Sequence, residues 1–189
     1  MSPRIGLDMT TIIKAAVDIA DALGLEAVTL ATLAKKLNIR PPSLYNHFDG
    51  LPGLRIELAI HGLEELRGSL MNAAIGRSED DAIYSIADAY IAFVRKHPGL
   101  YEATLPAPGN EDDRLQQLGS DIVHIFTRVL QSYGIEGDAA IHTTRGLRSL
   151  LHGFASLEAK GGFGIPLDLD VSIKQMLHIF LVGIRSVKE

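Results

Sequence analysis

Side chains that can bind an anionic polymer are concentrated in one short segment, Arg40-Pro41-Pro42-Ser43-Leu44-Tyr45-Asn46-His47-Phe48. The Tyr45 hydroxyl and the His47 imidazole can donate hydrogen bonds to phosphate oxygens, which orient a protein on nucleic acid without reading its sequence. Arg40 can bind guanine through two hydrogen bonds, whereas the Ser43 hydroxyl can serve several bases. The alternative is that Tyr45 packs on a neighbouring helix and His47 is an ordinary solvated residue.

Three short helices must position this segment, which we call the 40–48 segment. Helical spacing of apolar residues predicts a first helix from about Thr10 to Gly24. Thr29 is placed to cap a second helix that ends near Asn38, and the two prolines open a third. Leu44 and Phe48 of the third helix are expected to share an inner face with Leu33 and Leu37 of the second. This plan is a helix-turn-helix, whose last helix lies in the DNA major groove.

The residues of these helices resemble the DNA-binding domain of TetR-type transcriptional regulators over roughly residues 8 to 58. The match rests on Leu33-Ala34-Lys35-Lys36-Leu37 and on the Leu-Tyr and His-Phe pairs of the 40–48 segment. The resemblance implies phosphate contacts and base contacts for the set Thr29, Lys35, Arg40, Pro41, Pro42, Ser43, Tyr45, Asn46 and His47. Many members carry a lysine where this chain has Gly50-Leu51, so we expect modest affinity that depends steeply on salt and on dimerisation.

Charge and composition limit the remaining possibilities. The 189 residues carry a net charge of −5, but residues 1–60 are balanced, with six basic and six acidic side chains. The deficit therefore lies in the remainder, and an anionic partner would meet the N-terminal part first. Without cysteine, disulfides and thiolate metal sites are excluded. With no apolar run of membrane-spanning length, we expect a cytoplasmic protein that has no membrane contact.

Helical spacing continues to the end of the chain and predicts an all-α protein. Further helices are expected at about 54–75, 80–96, 98–105, 112–133, 138–160 and 170–187. The predicted domains are a helix-turn-helix domain over 1–53 and a helical effector-binding and dimerisation domain over 54–189. The stretch Arg148-Ser149-Leu150-Leu151-His152-Gly153-Phe154 resembles the TetR subgroup named for a Trp-His-Gly signature, with Leu151 at the tryptophan position.

Polar groups mixed with aromatic ones in the helical body suit a small-molecule cavity. The candidate effector-binding residues are Tyr90, Phe93, His97, Tyr101, Phe126 and His152. The competing interpretation is that the aromatic residues are plain core and the histidines structural.

The last helix is apolar on nearly all sides, so it needs burial against two partners. One partner can be a second copy of the chain, and the candidate interface residues are Gly146, Leu150, Gly153, Met176, Phe180 and Ile184. A glycine inside a helix reduces the stability of that helix relative to alanine. Close approach of another helix at these glycines would offset the loss. The alternative is a central helix in a monomeric bundle.

An enzyme and a scaffold remain as rival classes. The seven histidines form no His-Glu-x-x-His motif, and no nucleophile elbow or phosphate-binding glycine loop is present. His61 and Glu65 lie one turn apart and could exchange a proton, but they are better explained as a helix-surface pair. The sequence predicts no catalytic residue, metal or cofactor. It predicts a homodimeric, ligand-responsive regulator, more a repressor than an activator, that binds a palindromic double-stranded DNA operator.

Overall fold

A computed structural model describes residues 7–106 and 112–186, and the regular secondary structure of these residues is entirely helical. Its α-helices are α1 (Met9–Leu23), α2 (Leu30–Leu37), α3 (Gly50–Ala74), α4 (Glu79–Lys96), α5 (Pro98–Ala103), α6 (Asp113–Gln131), α7 (Gly137–Ala159) and α8 (Leu169–Ser186). Two 3-10 helices cover Leu25–Ala27 and Pro41–Asn46. This confirms the all-α prediction. Residue 187, where the last helix was expected to end, lies outside the described residues.

The helices form two compact units. The first unit comprises the described residues up to Glu65 together with those described between 96 and 116, and the second comprises residues 66–95 with the described residues from Gln117 onward. Helices α3 and α6 contribute residues to both units, and α4 contributes Lys96 to the first. The predicted boundary between functional domains at residues 53 and 54 stays a prediction.

The first unit has its core where α1, α2 and the 3-10 helix Pro41–Asn46 meet. Ile12, Leu33 and Leu44 have no exposed surface, and Phe48 is 8% exposed, so the predicted inner face is correct except that Leu37 is only half-buried. Leu54 and Leu58 of α3 are also fully buried. The second unit is centred on side chains from α3, α4, α6, α7 and α8, namely Leu70, Ile83, Ile86, Leu130, Leu147, Phe154, Leu177 and Leu181.

Two predictions around the 40–48 segment need correction. The expected third α-helix is a 3-10 helix, in which Ser43 N–H donates to the Arg40 carbonyl and His47 N–H to the Leu44 carbonyl, both at 3.0 Å. The segment is too short for α-helical bonds to outweigh this tighter turn. Of the break expected at residues 49–53, residues 50–53 are the first turn of α3, because Pro52 needs no hydrogen-bond partner there.

Helix α8 buries only one of its apolar faces within the described residues. The buried face consists of Ile173, Leu177, Leu181 and Ile184, at helical spacing. Met176 is 37% exposed and Phe180 is half-buried, so these two lie beside the inner face and not on it. Ile179 is 71% exposed and Val182 is 50% exposed, and they form the outer face. Within the described residues, no helix is long and apolar enough to cross a bilayer.

Candidate nucleic-acid interface

The 40–48 segment separates buried from exposed side chains cleanly. Leu44 and Phe48 face inward, whereas the Tyr45 side chain is 60% exposed. Arg40, Pro41, Pro42 and Asn46 are exposed, and Ser43 and His47 are half-buried. The segment therefore fixes its apolar residues in the core and presents guanidinium, phenol, amide and imidazole groups to solvent together. Tyr45 is therefore not an interior residue, and the DNA-contact roles of these side chains stay predictions.

Helix α2 and the turn after it set the position of the segment. Asn38 ends α2 in the left-handed conformation, with φ of 53°, and its N–H donates to the carbonyls of Ala34 and Lys35. Asparagine tolerates this backbone region better than most residues. Ile39 N–H donates to the Ala34 carbonyl at 3.0 Å. The chain thus turns within two residues, and Arg40 then leads directly into the prolines.

Thr29 has a capping role that accounts for its position. Its Oγ1 accepts a hydrogen bond from Thr32 N–H at 3.1 Å, and the Thr32 hydroxyl accepts one from Thr29 N–H at 2.9 Å. This reciprocal capping box satisfies two otherwise unpaired N–H groups at the start of α2. The Thr29 and Thr32 hydroxyls also lie 3.0 Å apart. A phosphate contact by Thr29 would thus come from a hydroxyl that the protein already holds in place.

The two lysines near the end of α2 differ in their surroundings. Lys36 Nζ lies 3.1 Å from a carboxylate oxygen of Asp18 on α1. Lys35 is exposed, and among the described residues no ion pair neutralises it or Arg40. Lys35 and Arg40 are thus the cations most available to a polyanion on this side of the unit.

Asp8 is a residue of this surface that sequence reasoning missed. It caps α1 by accepting the Thr11 N–H at 2.7 Å. Hydrogen bonds from Thr11, and more weakly the nearby His47 imidazole, hold the pKa of the Asp8 carboxyl below its usual value. An acid directly before an apolar helical pattern signals a cap, but the proximity of His47 depends on the fold.

The candidate effector residues are divided between the two units. Tyr90, Phe93 and Phe126 are buried in the second unit, where His152 is half-buried with the Ser156 hydroxyl 3.4 Å from its ring nitrogens. Tyr101 is 4% exposed in the first unit. His97 lines a cavity of about 500 Å³ in that unit, as do His61 and Glu65. His97 also lies 2.7 Å from Asp21.

The candidate dimer residues occupy α7 and α8. A Cβ added at Gly146 would lie 3.3 Å from the Phe180 ring, so close approach compensates this glycine within the unit. At Gly153 and Gly183 an added Cβ would meet open space. Leu150 is half-buried, but Ile184 is only 6% exposed and belongs to the inner face of α8. Ile179 and Val182 are outer-face residues that lie outside the predicted set of interface residues.

The Gly161-Gly162-Phe163 stretch after α7 closes that helix. Gly161 adopts φ of 67°, and Gly162 N–H donates to the Leu157 carbonyl at 2.7 Å. This is the hydrogen-bonding pattern of a glycine C-cap. The Phe163 ring then packs on Phe154 with centroids 5.0 Å apart. Leu151, at the position of the signature tryptophan, has no exposed surface and is a core residue.

Comparisons with known proteins agree with this geometry. A profile described as bacterial regulatory proteins of the tetR family matches residues 12–55, and one described as a tetracyclin repressor-like C-terminal domain matches residues 83–180. The chain is 44% identical to the HTH-type transcriptional regulator YobS of Bacillus subtilis, over 97% of this chain and 96% of that protein. It is 33% identical to the HTH-type transcriptional regulator Rv0681 of Mycobacterium tuberculosis, over 95% of this chain and 82% of that protein.

Solved structures share the fold at lower identity. The TetR variant Q116A from Acinetobacter baumannii, solved in complex with minocycline, aligns with a TM-score of 0.73 at 18% identity, covering 97% of this chain and 99% of that one. A regulatory protein designated SCO4313 aligns with a TM-score of 0.74 at 23% identity, covering 91% of this chain and 94% of that one. At these identities, the structural similarity shows a shared fold.

Proposed function

Because the chain belongs to the TetR family of bacterial transcriptional regulators, we propose that it is a homodimeric, ligand-responsive regulator, more a repressor than an activator, that binds a palindromic operator. The observation that carries this proposal is the exposure of Arg40, Tyr45 and Asn46 above a fully buried Leu44. Transcription regulation through a helix-turn-helix is the family's function, so neither an enzyme nor a scaffold is proposed. It acts in the cytoplasm, where the DNA is.

Two kinds of contact carry DNA recognition in this proposal: phosphate contacts orient the protein, and base contacts read the sequence. Tyr45 and His47 orient the protein through phosphate oxygens, and Lys35, Asn46 and the capped Thr29 add to this backbone contact. Arg40 reads a guanine, and Pro41, Pro42 and Ser43 bring the backbone close to the base edges. The support for this proposal is that Arg40, Tyr45 and Asn46 are exposed on one short segment whose apolar residues are fixed in the core.

Dimerisation gives the operator its symmetry. We place the interface on the outer face of α7 and α8, with Gly146, Leu150, Gly153, Met176 and Phe180 as predicted, and with Ile179 and Val182 added. Ile184 supports this face from inside the protomer. A two-fold dimer presents two 40–48 segments to half-sites about 34 to 36 Å apart. The apolar outer face of α8 and the open space at Gly153 and Gly183 support this placement.

The response to a small molecule is supported by the similarity to the Acinetobacter baumannii TetR variant that was solved with minocycline. We propose that an effector meets Tyr90, Phe93, Phe126 and His152 in the second unit, with His97 and Tyr101 contributing to the same response. The bound effector favours one conformer and shifts α3. The distance between the two 40–48 segments of the dimer then no longer matches the spacing of the operator half-sites. The coupling cannot exceed the effector's differential affinity for the two conformers. We also assign the second unit to the Trp-His-Gly subgroup.

Binding of genomic DNA fragments tests the proposal. A selection of bound fragments identifies the operator, and fluorescence anisotropy then measures affinities for operator and random duplexes over a range of salt concentrations. Tyr45→Phe combined with His47→Ala should weaken both duplexes by the same factor, since phosphate contacts carry no sequence information. Arg40→Ala should cost about 1 to 3 kcal/mol on the operator alone.

Two control variants keep this test specific. Tyr84→Phe on α4 and Arg148→Ala on α7 make the same chemical changes away from the 40–48 segment and should leave both affinities unchanged. Equal losses on operator and random DNA from Arg40→Ala would show that Arg40 does not read bases. Failure of the wild-type chain to enrich any fragment would contradict operator binding itself.

A further inference from the structure

The end of α3 and one face of α6 enclose a groove of about 530 Å³ within the second unit. We call it the α3–α6 groove. Its α3 side carries Met71, Ala74 and Ile75, and its α6 side carries His124, Ile125 and Arg128. The groove extends along α6 from Asp121 to Val129, a length of about 12 Å at 1.5 Å per residue, and reaches Ser132 one residue beyond the helix. None of the candidate effector residues lines it.

The floor of the α3–α6 groove is apolar and accessible to solvent. Met71 is 47% exposed and Ile75 is 66% exposed, although both are large hydrophobic side chains. Ile125 is half-buried beside them. Burial of such surface is favourable by about 25 cal/mol per Å², so the groove suits a ligand with an apolar body.

The rim of the groove provides positive charge. Arg128 is exposed, and no ion pair among the described residues neutralises it. Arg77 donates to the Ala73 carbonyl at 3.1 Å and lies 3.5 Å from Asp81, so its guanidinium is held at the rim.

The acidic side chain that lines the groove already has hydrogen-bond partners within the protein. Asp121 accepts hydrogen bonds from Arg67 at 2.6 Å and from Gln117 at 2.7 Å. A cationic ligand would therefore have to compete with Arg67 for this carboxylate. An anionic group, by contrast, meets Arg128 directly.

We propose that the α3–α6 groove binds a small molecule whose apolar body ends in a single anionic group, such as a carboxylate. The body lies on Met71, Ile75 and Ile125, and the anion lies against Arg128. Charge complementarity at the rim selects this chemistry over a neutral or cationic amphiphile of the same shape. Binding stands independently of the proposed function, and only an effect of the ligand on operator affinity rests on it.

Calorimetric titration of the DNA-free protein tests the ligand class. The probes are decanoate, 1-decanol and decyltrimethylammonium, which share an apolar chain and differ in charge. The two ions are kept below their micelle concentrations and the alcohol below its solubility limit. Decanoate should bind at least about tenfold more tightly than decanol, because a charged hydrogen bond contributes about 1.5 kcal/mol or more. The cation should bind more weakly still. Equal affinities, or no binding of decanoate, would overturn the proposal.

Matched variants locate the site. Arg128→Gln should remove the preference for decanoate over decanol, whereas Arg148→Gln on α7 should preserve it. Ile75→Ser should weaken the binding of decanoate and of decanol alike. Ile165→Ser is its matched control, because Ile165 lies outside the groove and is 72% exposed against 66% for Ile75. Circular dichroism checks that each variant is folded. If Arg128→Gln and Arg148→Gln behave alike, the groove is not the site. These titrations use the DNA-free protein, so their outcome does not depend on whether the protein binds an operator.

Discussion

The imidazole Nδ1 of His97 lies 2.7 Å from the Asp21 carboxylate and joins the start of α5 to the end of α1. The other carboxylate oxygen of Asp21 accepts the N–H groups of Gly99 at 3.0 Å and Leu100 at 2.9 Å. The first N–H groups of a helix have no partner within it. Asp21 therefore caps α5 from another helix, and a favourable interaction with the positive end of the helix dipole adds to this.

Removing this cap should destabilise the first unit. Asp21→Ala deletes the acceptor of two backbone N–H groups and of His97, so we expect a loss of about 2 to 3 kcal/mol of unfolding free energy. Urea denaturation followed by circular dichroism measures the change. Asp88→Ala, at an exposed position of α4, is the matched control. A loss no larger than the control's would show that water replaces the carboxylate.

Gly99 cannot accept a side chain. A Cβ at this position would lie 2.0 Å from the Ala20 carbonyl oxygen, and a backbone atom cannot move aside cheaply. Gly99→Ala should therefore reduce the unfolding free energy by about 3 kcal/mol or more. At Gly68 of α3 an added Cβ would meet nothing within 4 Å. Gly68→Ala should instead raise the unfolding free energy by about 0.5 to 1 kcal/mol. Thermal unfolding of both variants in parallel tests this contrast in sign.

Asp80 predicts how stability depends on pH. Although burial opposes the shift, hydrogen bonds from Tyr133 and Arg185 hold the pKa of the Asp80 carboxyl below its usual value. The contribution of Asp80 to the unfolding free energy is therefore fully present above the pKa of this carboxyl in the unfolded chain, about 3.9. It is lost as the pH falls through the lower pKa of the folded protein. Denaturation across that acid range should give a shallower pH dependence for Asp80→Asn than for wild type. Asp138→Asn controls for the loss of one exposed charge, and slopes that coincide would contradict the prediction.

Neighbouring residues of the 40–48 segment should affect different properties. Leu44 is fully buried, so Leu44→Ala should reduce the unfolding free energy by about 2 to 5 kcal/mol. Tyr45→Phe removes only an exposed hydroxyl and should leave stability within about 0.5 kcal/mol of wild type while weakening DNA binding. Paired denaturation and anisotropy measurements separate the two effects. A large stability loss from Tyr45→Phe would mean that its hydroxyl has an internal partner.

The outer face of α8 offers a direct test of assembly. Ile179 is 71% exposed, and Ile179→Asp should convert dimers to monomers in sedimentation, because a buried unpaired charge is strongly unfavourable. Leu23→Asp changes a residue that is 72% exposed at the end of α1 and should not affect assembly. Ile179 is a better probe than Phe180, whose ring also packs on Gly146 within the protomer. An Ile179→Asp protein that stays dimeric would move the interface elsewhere.

Local sequence signals predicted those features that depend on a few consecutive residues. The spacing of Leu33, Leu44 and Phe48 gave the inner face of the helix-turn-helix, and Thr29 was correctly placed as a helix cap. The start of α3 was missed because Gly50 and Gly53 suggest a loop, whereas Pro52 fits a first helical turn. Asp21 as the cap of α5, and the α3–α6 groove, join residues far apart in sequence. Helical periodicity says which face of a helix is apolar, but not which partner covers it.

The prolines that open the 40–48 segment have a consequence for the kinetics of recognition. Each ring restricts its own φ to about −65°, so the unbound molecule has few alternative shapes at this point. A flexible loop would have to freeze on docking, at roughly 1 to 2 kcal/mol for each residue. This protein meets the double helix with that turn already formed, so encounters can become productive without a slow rearrangement step, and glycine at either position would reduce the association rate before it altered the final contacts.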